Sequence, residues 1–245
     1  MSAATSLSEA IDAVAVAHEQ RSGTRVLVNI GGSDLLATQL IEGAPVDVFL
    51  SADAQQMDRA QEAGRIRPDR RVDLLSNQLV VVVPSDRVGT VMTVADLASE
   101  AIRRIALGDP ETVPAGVYAR RYLEAAGIWS VVESKVVPTR NVRAALAAVE
   151  SGTADAAVVY RTDAATSSAV VVAYPVPRDA GPSIVYPAAV ANGAPNEAAA
   201  IRVLEFLQGP EARRLFEDAG FVVLPHTPIA NVEPPATSPE SRNGR

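Results

Sequence analysis

Short apolar runs alternate with amphipathic stretches along nearly the whole chain, and this alternation limits the fold more than any other feature. Apolar runs at 25–30, 47–51, 78–83, 104–107, 156–160, 170–174 and 183–190 read as buried strands. Between them, helical spacing predicts helices from Ser6 or Leu7 to about Gly23, then over 33–42, 52–63, 94–99, 115–126, 142–151, 197–208 and 210–219. Strands regularly followed by helices imply an α/β fold whose sheets are mainly parallel, because each crossover helix returns the chain to the same end. No apolar run approaches the roughly 20 residues needed to span a bilayer.

The 245 residues can form one large domain or two smaller ones. A net charge of −7 and a pI near 5.0 argue against a nucleic-acid partner, since such binding draws on Lys and Arg that neutralise phosphates. The local exception, Arg65, Arg67, Arg70 and Arg71, reads as a solvated turn between two elements. The chain has no cysteine, so disulfides, thiolate metal sites and thiol catalysis are ruled out. Met1 leads into an amphipathic helix without a basic, apolar leader, so no export signal is visible. The polar, proline-containing stretch 226–245 reads as a disordered tail.

Catalytic groups are scarce. His18 falls on the polar side of the first helix and His226 in the tail, so neither reads as a base or a metal ligand. Carboxylate pairs such as Asp47 with Asp53, or Asp109 with Glu111, have the spacing of ordinary caps and turns. What recurs instead is the strand-to-helix turn rich in small and hydroxyl residues: AATSLS at 3–8, GGSDL at 31–35, PAG at 114–116 and RNVR at 140–143. Free N–H groups of a helix first turn, with the positive end of the helix dipole, bind anions without any Lys or Arg. The alternative is that Ser6 and Ser33 only cap their own helices, Ser6 within a capping box closed by Glu9.

Longer strings carry more specific information. AATSLSEAI at 3–11, GGSDLLATQLIEGAPVDVFLSAD at 31–53, NQLVVVVP at 77–84, LGDPETVPAGVYAR at 107–120, NVRAALAAVESG at 141–152, VVYRTDA at 158–164 and YPAAV at 186–190 resemble the periplasmic molybdate-binding proteins of ABC importers. The resemblance implies a two-lobed, type II periplasmic-binding-protein fold with two hinge crossings, near 81–84 and 182–186. One lobe would comprise 1–81 with 184–225, the other 82–183. It implies a non-enzymatic monomer that binds molybdate, or tungstate, outside the cytoplasm and delivers it to a membrane permease. Molybdenum would be held as the oxyanion, with no direct metal coordination and no other cofactor.

The binding residues implied by the matching motifs are Ser6 and Ser33, each through its hydroxyl and backbone N–H, Ala115 and Val142 through backbone N–H, and Tyr160 through its phenol. All of these can donate and none must accept, which suits an unprotonated dianion and disfavours protonated phosphate. The resemblance also implies a first β-strand before the AATSL turn. With Met1 so close to that turn, the strand is expected to be missing, as it would be from a truncated start. The alternative function is an oxyanion- or small-molecule-sensing regulatory domain of the same fold, and an enzyme using the cleft comes third.

Overall fold

The computed structural model describes residues 1–225. Strand β1 (Ser2–Ala4) runs through a 3-10 turn at Thr5–Leu7 into helix α1 (Ser8–Ser22), followed by β2 (Asn29–Gly31), α2 (Ser33–Ile41), β3 (Val48–Leu50) and α3 (Ala54–Glu62). Next come β4 (Ile66–Ser76), β5 (Leu79–Pro84), a 3-10 helix at Val94–Ala98, β6 (Ile105–Gly108), α4 (Pro114–Ala125) and α5 (Trp129–Val132). The chain continues through a 3-10 turn at Glu133–Lys135, β7 (Val136–Thr139), α6 (Val142–Glu150), β8 (Ala156–Tyr160), α7 (Arg161–Ala164) and β9 (Val170–Pro175). It ends with β10 (Tyr186–Ala191), α8 (Glu197–Leu207), α9 (Pro210–Asp218) and β11 (Val222–Val223).

These strands form two sheets, ordered β11-β4-β10-β3-β1-β2 and β7-β6-β8-β5-β9. The α/β, two-lobed expectation holds, but the sheets are mixed rather than mainly parallel. β1 pairs in parallel with β2 and β3, and β6 with β7 and β8, because helices carry the chain back between them. The strands next to the two inter-sheet passages, β4, β5, β9 and β10, instead pair antiparallel with their neighbours. β5 lies wholly in the second sheet, so the outward passage falls at Asn77 and Gln78, upstream of 81–84. The return occupies 176–185.

Residues Leu79–Val83 and Ala156–Tyr160 are at most 1% exposed, as expected for strands covered on both faces. Each such Val or Leu contributes roughly 1.5–3 kcal/mol by leaving water. The first strand, expected to be missing, is present: Ser2–Ala4 are buried and pair with both neighbours in the first sheet. Three residues suffice because they sit between two partners. The strand expected at 25–30 shrinks to Asn29–Gly31, which pairs residue for residue with Ser2–Ala4.

The Arg-rich segment is an 11-residue strand, not a turn. Val72, Leu74 and Leu75 face the core, while Arg67 pairs with Asp69 and Glu197, and Arg71 with Asp58 at 2.6 Å. Four arginines masked an apolar face that pairs with β10 and β11. His18 is likewise not on a polar face. It is 3% exposed, edge-on to Phe206 at 5.2 Å, because α8 covers that side of α1. His226 and the tail lie outside the described residues.

Two glycines set the approach of α4 to β6. A Cβ on Gly116 would lie 1.8 Å from the Gly108 carbonyl oxygen, and one on Gly108 2.5 Å from Val113 Cγ1. The obstruction at Gly116 is backbone, which cannot rotate away. Gly116→Ala is therefore expected to push the start of α4 off β6 and cost about 1–3 kcal/mol, measurable by urea unfolding. An unchanged denaturation midpoint would show that this approach is not needed.

Candidate functional site

β1, β2, β6, β7 and β8 all end at one place between the two sheets, and short turns there start the next helices. Ligands in open α/β sheets bind beyond the carboxyl ends of strands for this reason. Ser6, Ser33, Ala115, Val142 and Tyr160 all line a single cavity there, each 1–4% exposed. Even counting space open to solvent, the cavity holds about 230 Å³. That is below the ~300–1,000 Å³ of pockets for drug-sized ligands, so the size suits a small ion. A larger cavity lies between the two inter-sheet passages, lined by Asn77, Gln78, Pro177 and Ile184, but no helix begins on it.

Neither serine caps its helix. Ser33 Oγ accepts the Ala52 N–H at 2.9 Å, so its own hydrogen remains available to the cavity. Ser6 lies inside the Thr5–Leu7 turn, and its Oγ donates to Tyr186 Oη at 3.3 Å. The side-chain caps at the neighbouring helices come from other residues: Asn141 Oδ1 accepts from Ala144 N and Asp53 Oδ1 from Gln56 N, both at 2.9 Å. The Asn141 cap satisfies the third residue of α6 and leaves the Val142 N–H in the unsatisfied first turn. Ala115 has the equivalent place in α4, after a proline at the first position.

Two more polar atoms at the cavity are buried without a hydrogen-bond partner, Tyr160 Oη and Thr5 Oγ1. Burial pushes the Tyr160 phenol well above its usual pKa, with Tyr186 nearby adding to the effect, so it stays protonated and able to donate. Thr5 was not among the expected residues. Its signal was only that it lies within the AATSLS turn. Among the described residues, no Lys, Arg, Asp, Glu or His lines the cavity. The Asp53 carboxyl, next to the lining residue Ala52, is pushed up to about 6 by burial and is occupied as a cap. Of the other carboxylates, Asp47 accepts from Asn196 N, and Asp109 from Glu111 N, as ordinary turn and cap groups.

The two halves touch around the cavity. Gln56 Nε2 donates to the Thr112 carbonyl at 3.4 Å, and Arg143 Nη2 meets Glu9 Oε2 at 2.5 Å. Arg143 also donates to Thr166 Oγ1, and its Nε lies 2.5 Å from Asp163 Oδ1. Asp163 is fully buried, and burial pushes its carboxyl up to about 7 although Arg143 pulls it down.

The family model for bacterial extracellular solute-binding proteins covers residues 1–222. The chain belongs to this family. The solute-binding protein is 37% identical over 225 residues to the molybdate-binding protein ModA of Escherichia coli, covering 90% of this chain and 87% of that one. It is 32% identical to the molybdate-binding protein ModA of Haemophilus influenzae, covering 89% and 87%. The periplasmic molybdate-binding protein of Azotobacter vinelandii shares the fold, with a TM-score of 0.80 at 24% identity, covering 92% of this chain and 98% of that one. The family is one of receptors, not enzymes.

Arg143→Met would leave Asp163 buried without its cation, a loss of about 3–5 kcal/mol when the carboxyl is charged. In the native protein the Asp163 carboxyl, raised from 3.8 to about 7, already costs stability as pH rises between those values. The substitution raises the folded value further, so the deficit should be largest near pH ~9 and narrow as pH falls through 7. Urea unfolding at the two ends of that range checks this. A pH-independent deficit would show that Arg143 acts by packing alone.

Proposed function

We propose that this solute-binding protein captures an unprotonated tetrahedral oxyanion, molybdate foremost, and delivers it to the membrane permease of an ABC importer outside the cytoplasm. Tungstate, of like charge and shape, is the expected competitor. The single observation behind this reading is the composition of the cavity wall: hydroxyls and helix first-turn N–H groups, with no charged side chain among the described residues. Four oxygens that only accept match a wall whose groups can all donate. Ser6, Ser33 and Tyr160 would give side-chain donors, and Ala115 and Val142 backbone donors. The names of the Escherichia coli and Haemophilus influenzae relatives point to the same ligand.

The lobes of this receptor would meet at 77–78 and 176–185, with the ligand bridging them and favouring closure. Ser6 and Ser33 belong to the half built on the first sheet, Ala115, Val142 and Tyr160 to the other. An anion held by all five therefore joins both halves.

Calorimetric titration with molybdate, tungstate, sulfate and phosphate should show tight, stoichiometric binding of the first two. Lack of binding by either would refute the assignment. Tyr160→Phe separates binding from folding, because the phenol oxygen has no partner in the protein. Removing an unsatisfied buried hydroxyl, which costs about 1–3 kcal/mol, should maintain or raise the melting temperature of the unliganded protein while weakening molybdate binding about tenfold or more. Unchanged affinity would remove Tyr160 from the site.

A further inference from the structure

We propose that Tyr186 is a positioning residue that turns the Ser6 hydroxyl toward the bound anion, through a buried chain of donors starting at Asn77. This inference rests on the oxyanion reading of the cavity and adds a residue that does not line it. Asn77 Nδ2 donates to Thr162 Oγ1 at 2.9 Å and to Tyr186 Oη at 3.2 Å, and Ser6 Oγ lies 3.3 Å from the same phenol oxygen. All four side chains are deeply buried, at 1–8% exposure, so no water competes for these bonds.

The count of hydrogens gives the chain its direction. Both amide hydrogens of Asn77 are committed, and its Oδ1 accepts the Gln78 N–H at 2.8 Å, which fixes the amide's orientation. Asn77 can therefore only donate to Tyr186. Ser6 also donates to Tyr186, so the phenol hydrogen has no acceptor among the described residues. An anion in the cavity offers acceptors alone. The Ser6 hydrogen then rotates to the anion and the phenol hydrogen rotates to Ser6 Oγ, with no heavy atom displaced. Each link now donates in one direction, from Asn77 to Tyr186 to Ser6 to the ligand, and such chains polarise their members cooperatively. Burial keeps the Tyr186 phenol protonated, as the role requires.

The placement of the chain links it to closure. Asn77 lies on the outward passage between the sheets and Tyr186 opens β10 directly after the return. Thr162 lies two residues beyond Tyr160 on α7, and Ser6 lies on the opposite half. Filling the cavity thus completes a bond series that spans both passages.

The test is a double-mutant cycle read by calorimetric titration with sodium molybdate. Tyr186→Phe preserves the ring, packed on Tyr160 at 5.6 Å and Phe221 at 5.5 Å, so the variant should fold, and its unliganded melting curve verifies this. It should weaken binding about tenfold, and Ser6→Ala about tenfold or more. In the Ser6→Ala background, Tyr186→Phe should have no further effect, because the residue through which it acts is gone. Equal weakening in both backgrounds, or none in the wild type, overturns the relay. Wild-type protein that takes up no molybdate overturns the oxyanion reading, and the relay with it, whereas tight wild-type binding with an additive cycle overturns the relay alone.

Discussion

Buried donors that lack acceptors cost free energy wherever they occur, and folding normally eliminates them. Here Tyr160 Oη and Thr5 Oγ1 are left without partners and the first turns of α4 and α6 open on the same space. Much of the architecture follows from holding them there. The strands must end level with one another, the helices must begin within about five residues, and caps must come from positions such as Asn141 that leave the cavity-facing N–H groups free. Gly108 and Gly116 serve the same end by letting α4 start against the end of β6. A ligand made only of acceptors would relieve the instability concentrated at this point.

The mixed sheets show how the same problem is solved topologically. Parallel β-α units place helix starts at the cavity, and β1, β2, β6 and β7 are such strands. The antiparallel strands β4, β5, β9 and β10 provide no helix start to α1, α2, α4 or α6, but they flank the passages between halves. Division of labour between the two strand types lets one continuous chain build both walls of a cleft.

How much of this was legible in the sequence depended on whether the deciding contacts were local. β8 was read at its observed bounds because a run buried on both faces is uniformly apolar. The start of α2 at Ser33 and of α6 at Val142 was legible from turn chemistry. β4 was missed because its arginines find Asp58 and Glu197 only once α3 and α8 have folded beside it. His18 was misplaced because its burial depends on α8, far along the chain. Ser6 and Ser33 carried the pattern of helix caps, yet their oxygens bond to Tyr186 and Ala52, partners 180 and 19 residues away. The five cavity residues were singled out by motif resemblance, and their convergence on one cavity is a property of the fold. Tyr186, lying behind Ser6, had no local mark at all.

That no charged side chain among the described residues lines the cavity bears on how cargo is let go. A guanidinium or ammonium attracts an anion over many ångströms, so such a pair must be pulled far apart or neutralised by a proton before the anion is free. Dipoles act over a shorter reach, and those of helix ends fade within about one turn. A receptor that grips with dipoles alone can hold firmly when shut yet loosen its hold after a small parting of its halves, with no change in protonation and no competing ion needed for unloading.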